Sequence, residues 1–269
     1  MAIMKTSGEV LITNKKNTLI MTNQSILEKL KDMKLSGMHN SFHTALETRA
    51  HQTLTTDEFI AMLVEGEYNY RRNVRVKMSI KRAKFRYNGM VEDVDFSVQR
   101  GLDKNAYIRL ADCSFIERHE NIIFTGPAGA GKSFLASALG NQACMMGLKV
   151  RYFNMSKLFA SLKISKADAS YLKEMNRLEK QDLLILDDFG LQPVDATLRL
   201  ALLDIIEDRH GKRSTIFVSQ IPVNKWHELL GEQTVADAIL DRVVYSSHRI
   251  ELKGESMRKR NGLNVKQKS

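Results

Sequence analysis

The stretch Asn121-Ile122-Ile123-Phe124-Thr125-Gly126-Pro127-Ala128-Gly129-Ala130-Gly131-Lys132-Ser133-Phe134-Leu135-Ala136 decides the fold. Its first five residues form a short apolar run and read as a buried strand. Residues 126–133 are G-x-x-x-x-G-K-S, and Phe134 onward reads as the opening turns of a helix. Strand, glycine loop and helix in that order are what a phosphate-cradling P-loop needs. The glycines let the backbone bend tightly and turn its N–H groups toward a phosphate chain. The helix N-terminus adds partial positive charge at the same point. Lys132 is expected to reach the β and γ phosphates, and the Ser133 hydroxyl to ligate Mg²⁺. A glycine-rich turn that binds nothing would not need this flanking order.

A second stretch supports the first. Asp182-Leu183-Leu184-Ile185-Leu186-Asp187-Asp188 is an apolar run that ends in two carboxylates. Parallel strands buried on both faces read as such continuous runs. The C-terminal ends of strands in open α/β sheets are where ligands bind. Asp187 is expected to hold Mg²⁺ through water, as a Walker B aspartate does, and Asp188 to polarise the attacking water.

The chain has 269 residues, enough for one large domain or two small ones. It contains no apolar run long enough to span a membrane, and its N-terminus lacks the apolar core of a secretion signal. A cytoplasmic protein is expected. Cys113 and Cys144 are the only cysteines and read as buried small hydrophobes rather than a disulfide. The net charge is +10. Residues 1–100 hold 16 Lys/Arg against 11 Asp/Glu, residues 101–252 hold 19 against 19, and residues 253–269 hold 6 against 1. The excess lies wholly outside the nucleotide-binding segment, which suggests an anionic polymer as partner.

The organisation reads as a loose polar segment (1–22), a small helical DNA-binding domain (23–87), a linker (88–102), an ATPase domain (103–253) and a basic tail (254–269). Ser36-Gly37 is expected to break the first helix. Thr55 and Glu58 match a capping box that opens a long helix running toward Arg86. On that helix Arg71, Arg72, Arg75, Lys77, Lys81, Arg82, Lys84 and Arg86 fall within sixteen residues that contain no acid. A solvated helix face commonly carries compensating acids, so this run reads as a surface for double-stranded DNA. No base-reading motif is visible, so little sequence preference is expected. His39 and His43 are four apart, but no third metal ligand is evident, and they read as helix-surface residues or a satisfied core pair.

Beyond residue 103 strands and helices alternate. Expected strands are Leu148–Phe153, the Asp182–Asp188 run, Thr215–Gln220 and His248–Leu252. Helices between them are expected at 156–162, 171–178, from Asp195 to Gly211, and at 236–244. Repeated β–α units imply a parallel five-stranded sheet with helices on both faces. The polar pair Ser219-Gln220 ends one strand, where Gln220 suits a sensor of the γ-phosphate. Arg242 follows an apolar helix face and suits an arginine finger reaching a neighbouring subunit's ATP. The alternative for Arg242 is a helix C-terminal arginine that satisfies the dipole.

These residues resemble the IstB-type ATPases, AAA+ helpers of bacterial insertion-sequence transposases and kin of the DnaC helicase loaders. The resemblance covers roughly residues 24–260. It rests on Leu184–Leu191, Ser219-Gln220-Ile221-Pro222 with Trp226-His227, Asp237–Arg242, and above all the run from Arg249 to Arg258. The resemblance implies ATP and Mg²⁺ as cofactors, ATP-driven oligomerisation on DNA, target-site selection and stimulation of a transposase. Carried onto this chain, Lys132 and Ser133 bind MgATP, Asp187 and Asp188 form the Walker B pair, Gln220 is the sensor and Arg242 the finger. A helicase loader shares the ATPase core, but the Lys253–Arg258 run argues against it. A small-molecule P-loop kinase would not need eight basic residues on one helix. A DNA-binding scaffold that uses ATP only as a structural ligand would bind ATP without turning it over.

Overall fold

The computed structural model describes the backbone of residues 3–6, 9–14, 17–254 and 256–257, with side chains from Thr22 onward. The chain divides into two compact units, residues 1–77 and 78–269.

The first unit begins with strands β1 (Ile3–Thr6), β2 (Glu9–Asn14) and β3 (Asn17–Thr22), paired antiparallel in that order. Ile3 faces Ile12, and Asn14 faces Asn17. The sequence reading left this segment without regular structure. Short runs broken by polar residues carry little periodicity, and pairing between strands stabilises a sheet more than the pattern of any one of them. Three helices follow: α1 (Asn23–Asp32), α2 (Ser36–Glu47) and α3 (Thr56–Ala83). The capping box is present. Thr55 Oγ1 accepts from Glu58 N at 3.3 Å, and Glu58 Oε2 accepts from Thr55 N at 2.8 Å.

Two local expectations are corrected here. Ser36-Gly37 opens α2 instead of breaking a helix. The break comes at Lys34, whose φ is +58°. Gly37 is buried, and a Cβ there would stand 2.3 Å from the Gly66 carbonyl oxygen, so glycine permits close approach to α3. The basic run is free of acids, but its first residue has a compensating one just before it. Arg71 Nε donates to Glu67 Oε1 at 2.6 Å, and Glu67 Oε2 accepts from the backbone N–H groups of Gly37 and Met38 at 2.7 and 3.1 Å. Burial raises the Glu67 carboxyl, but Arg71 and the two N–H groups together hold it below its ordinary value. The compensating acid lies one turn upstream of the counted run.

The second unit holds α4 (Lys104–Ala111), α5 (Ser114–Glu117), β4 (Asn121–Thr125), α6 (Lys132–Met145), β5 (Val150–Asn154), α7 (Met155–Ala167) and α8 (Tyr171–Glu179). It continues with β6 (Leu183–Phe189), α9 (Ala196–Arg209), β7 (Ser214–Ser219), α10 (Trp226–Leu230), α11 (Gln233–Val244) and β8 (Ser247–Glu251). The five strands form one parallel sheet in the order β5-β6-β7-β4-β8. Strand alternation divides the core in two. Ile122, Phe124, Leu183, Ile185, Ile216 and Val218 face one layer, and Ile123, Leu184, Leu186 and Phe217 face the other. Asp195 caps α9 by accepting from Leu198 N at 2.9 Å. Cys113 and Cys144 are buried free thiols, and burial pushes them up to about 12 and about 11.

The segment read as a linker is packed. Val91 and Val94 are buried in the core, with Phe96 and Leu102 against it. Asn141 Nδ2 also donates to the Gly89 carbonyl at 2.6 Å. Its apolar residues are too sparse and irregular to show a period, so only their burial marks it as core. No helix among the described residues is long and apolar enough to cross a membrane.

Candidate functional site

The C-terminal ends of three neighbouring strands bring the predicted residues together. The P-loop, Gly126 to Ser133, follows β4, Gln220 follows β7, and Asp187 and Asp188 lie near the end of β6. β7 stands between the other two strands, so topology alone sets Gln220 between the phosphate loop and the carboxylates.

Gly126, Gly129 and Gly131 all have positive φ, at +132°, +80° and +96°. Lys132 opens α6, and its ammonium donates to the carbonyls of Gly126 at 2.7 Å and Pro127 at 2.8 Å. Burial pulls the Lys132 ammonium below its ordinary value, and the charges of Asp187 and Asp188 oppose that shift. The lysine therefore feels the strand-end carboxylates across the site. The loop is braced from outside. Arg100 is buried and donates from Nη1 to the Ala130 carbonyl at 3.2 Å. A Cβ at Gly131 would stand 2.5 Å from that nitrogen. Leu252 N donates to Thr125 O at 2.8 Å, Lys253 N to Arg100 O at 2.7 Å, and Met257 N to Gly129 O at 2.9 Å. The segment after β8, read as diagnostic in the sequence, is thus stitched to the P-loop. Arg258 and the basic tail beyond it lie outside the described residues.

At the carboxylate end, the β6–β7 register shifts between Leu186 and Phe189, and Asp188 takes φ +60°. Bulges re-aim side chains beside active sites, and aspartate is among the few residues that tolerate this backbone region. Asp187 is fully buried. Its Oδ1 accepts from Asp188 N at 2.8 Å, and its Oδ2 from the Tyr152 hydroxyl. Burial and the Asp187 charge push the Tyr152 hydroxyl upward, so it stays a proton donor. Asn154 does two jobs. Its Nδ2 donates to Asp188 Oδ2 at 2.7 Å while its Oδ1 caps α7 at Ser156 N, 3.1 Å away. Arg86 Nη1 donates to both carboxylates, at 3.4 Å to Asp187 and 3.1 Å to Asp188. Arg86 was read as a DNA contact, yet the structure puts it here. Being in a charge run carried no sign of this, and neither did anything near Tyr152 or Arg100.

The remaining basic residues, Arg71, Arg72, Arg75, Lys77, Lys81, Arg82 and Lys84, are exposed. Arg242 lies elsewhere. It sits near the end of α11, where Nη1 donates to Ala238 O at 2.9 Å and Nη2 to Glu207 Oε1 at 3.2 Å. Its carbonyl accepts from Asn121, the first residue of β4. The P-loop follows the last residue of β4, about 16 Å along the strand. The structure therefore does not bring Arg242 to this chain's own P-loop.

The residues fit MgATP. Three glycines at positive φ let the loop turn tightly against Leu252, Ser256 and Arg100, and Lys132 stands at its end, where a helix begins. Among the described residues no three His, Cys, Asp or Glu form a metal cluster. Mg²⁺ takes one or two carboxylates and completes its shell with phosphates and water, and Asp187 and Asp188 stand side by side near the end of β6.

The chain belongs to the family of IstB-like ATP binding proteins, whose model matches residues 28–265. An insertion sequence ATP-binding protein of Sinorhizobium fredii is 42% identical over 233 residues, 87% of this chain and 95% of the relative. The insertion sequence IS21 ATP-binding protein of Pseudomonas aeruginosa is 33% identical over 227 residues, 84% of this chain and 86% of the relative. A crystal structure of DnaI matches with a TM-score of 0.54 at 22% identity, over 63% of this chain and 90% of that one. That likeness concerns the fold, a P-loop sheet of the AAA+ type. Trp226, from one of the resembling motifs, is buried against Phe189, 4.5 Å between ring centroids, and its Nε1 donates to Ile221 O at 2.9 Å.

Proposed function

We propose that this family member is a DNA-dependent ATPase that assembles through its ATP sites and serves the transposase of an insertion sequence. The observation that carries the ATPase reading is the convergence of the P-loop, Gln220 and the Asp187–Asp188 pair on three adjacent strand ends. Bound MgATP supplies the phosphoanhydride bond to be broken. Lys132 neutralises the β and γ phosphates, and Ser133 and Asp187 hold the metal. Asp188 orients and polarises the attacking water, and Gln220 reads the γ-phosphate side.

Arg242 acts in trans in this reading, because it lies at the far end of β4 from its own P-loop. Arginines supplied to a transferring phosphoryl group are worth ~10³–10⁵ in rate. Arg242→Ala should bind ATP normally and hydrolyse it poorly. Mixing it with Lys132→Ala should restore some hydrolysis, since one mixed interface pairs an intact site with an intact arginine. Confirmed mixed oligomers without rescue would sink the trans assignment.

The exposed face of α3 carries the DNA reading, and the printed names of the relatives carry the transposase reading. Binding should be electrostatic and nearly sequence-blind, with log affinity falling against log salt by about 0.9 per phosphate neutralised. Replacing Arg72, Arg75 and Lys77 with alanine should weaken binding to every duplex alike and flatten that slope. An unchanged slope would remove α3 from the DNA surface.

A further inference from the structure

Two adjacent carboxylates at the end of a buried strand need a cation. Asp187 is fully buried and Asp188 mostly so. Two like charges this close repel each other unless a cation stands between them. In this structure the guanidinium of Arg86 does so, through one nitrogen shared by both side chains.

Arg86 is held there by its neighbours. Its Cζ stands 5.8 Å from the Tyr87 ring centroid, and that ring packs edge-on against Phe134 in the first turn of α6. A Cβ at Gly89 would stand 2.4 Å from the Phe134 ring. The segment 86–89 is therefore fastened to the P-loop helix, and the position of Arg86 is not that of a free surface side chain.

The contact is nevertheless displaceable. Its distances, 3.1 and 3.4 Å, are longer than the ~2.7–2.9 Å of an optimal charge-assisted bond. The Arg86 side chain is 40% exposed, so it has a way out. The other donors to Asp187, the Tyr152 hydroxyl and the Asp188 N–H, belong to the sheet itself. At Asp187 a metal would meet Arg86 as the one partner with an exposed side chain; at Asp188 the other donor is the Asn154 amide, which its cap of α7 holds in place. Mg²⁺ demands a near-ideal octahedron, and a guanidinium nitrogen bonded to both carboxylates blocks its approach.

We propose that Arg86 is the resident counter-ion of the Asp187–Asp188 pair and competes with Mg²⁺ for it. It is a positioning residue: it keeps the carboxylates in place while no metal is bound, and it sets how much Mg²⁺ nucleotide binding requires. This rests on reading Asp187 and Asp188 as the metal side of the site.

The test is equilibrium binding of a fluorescent N-methylanthraniloyl-ATP to the full chain, in EDTA and across a Mg²⁺ series. Arg86→Gln should bind the nucleotide about three- to tenfold more weakly in EDTA, because two uncompensated carboxylates then face the anion. Its half-saturating Mg²⁺ concentration should fall by a similar factor, because the metal no longer displaces an arginine. Arg86→Lys should restore most of both values by keeping the charge. Circular dichroism melting of each variant separates these effects from loss of fold. Equal affinity changes with and without metal, or a Lys variant that behaves like the Gln variant, would overturn the proposal. Asp187→Asn serves as the reference. If it abolishes the Mg²⁺ effect while Arg86→Gln leaves it unaltered, only the role of Arg86 fails. If Asp187→Asn keeps a normal Mg²⁺ dependence, the metal reading of the strand end fails, and this proposal with it.

Discussion

The two halves of the candidate nucleotide site are built differently. The P-loop half is mainly backbone: three glycines at positive φ, the start of a helix, and one lysine that bonds carbonyls of its own loop. The carboxylate half is side chains drawn from separate places, with Asp187 and Asp188 from β6, Tyr152 and Asn154 from β5, and Arg86 from beyond α3. A site made of backbone conformation is written in consecutive residues. A site made of converging side chains exists only once the strands are laid side by side.

The sharpest way to break the comparison is to damage one half at a time. Asp188→Asn should lower hydrolysis by about 10²–10⁴-fold, the range for loss of a positioned base-like group. ATP affinity should stay within a few-fold, because Asp187 remains for the metal. Asparagine also tolerates positive φ, so the bulge at residue 188 should persist. Single-turnover hydrolysis beside equilibrium binding measures both; normal turnover would remove Asp188 from the chemistry.

The next effect is smaller and falls on the other half. Lys132→Ala should weaken ATP binding by about 100-fold, from the loss of charged hydrogen bonds to phosphate. Turnover should stay low even at saturating ATP, because Lys132 also neutralises charge on the phosphates as the γ-phosphoryl group transfers. If saturating ATP brought turnover back to normal, the lysine would be a loop brace rather than a phosphate ligand.

The smallest effect sharpens the comparison from outside it. Glu67 is also a buried carboxylate paired with an arginine, but all its partners lie on α2 and α3. Glu67→Gln should destabilise the protein by about 1 kcal/mol at neutral pH and leave ATP affinity unchanged. The folded protein holds this carboxyl below its ordinary value of 4.5. Its contribution is therefore complete above about pH 4.5 and is lost as pH falls through the lower, folded value. Urea unfolding of both proteins from pH 7 down to 3 should show the difference shrinking on the acid side. A difference that grows toward acid would contradict this account.

Read from sequence alone, the P-loop, the acidic strand, the cap of α9 and the Thr55–Glu58 box were all recoverable, because each depends on residues within a few positions of one another. The five-stranded parallel sheet followed from the alternation of runs, and the nearness of the P-loop, Gln220 and the Asp187–Asp188 pair followed from where strands end. What adjacency in sequence could not supply was partnership over long separations. Arg86 looked like one more member of a charge run, and it lies against carboxylates about a hundred positions away. Arg71 looked uncompensated because its acid stood just before the run. The segment 88–102 looked like a linker because two buried valines have no period. Arg242 could be given a role by resemblance, but only the fold shows that it stands at the opposite end of β4 from its own P-loop. Local conformation and hydrophobic period are set by near neighbours, so the sequence determines them; the pairing of charges depends on which surfaces the folded chain brings within a few ångströms, and only the tertiary structure decides that.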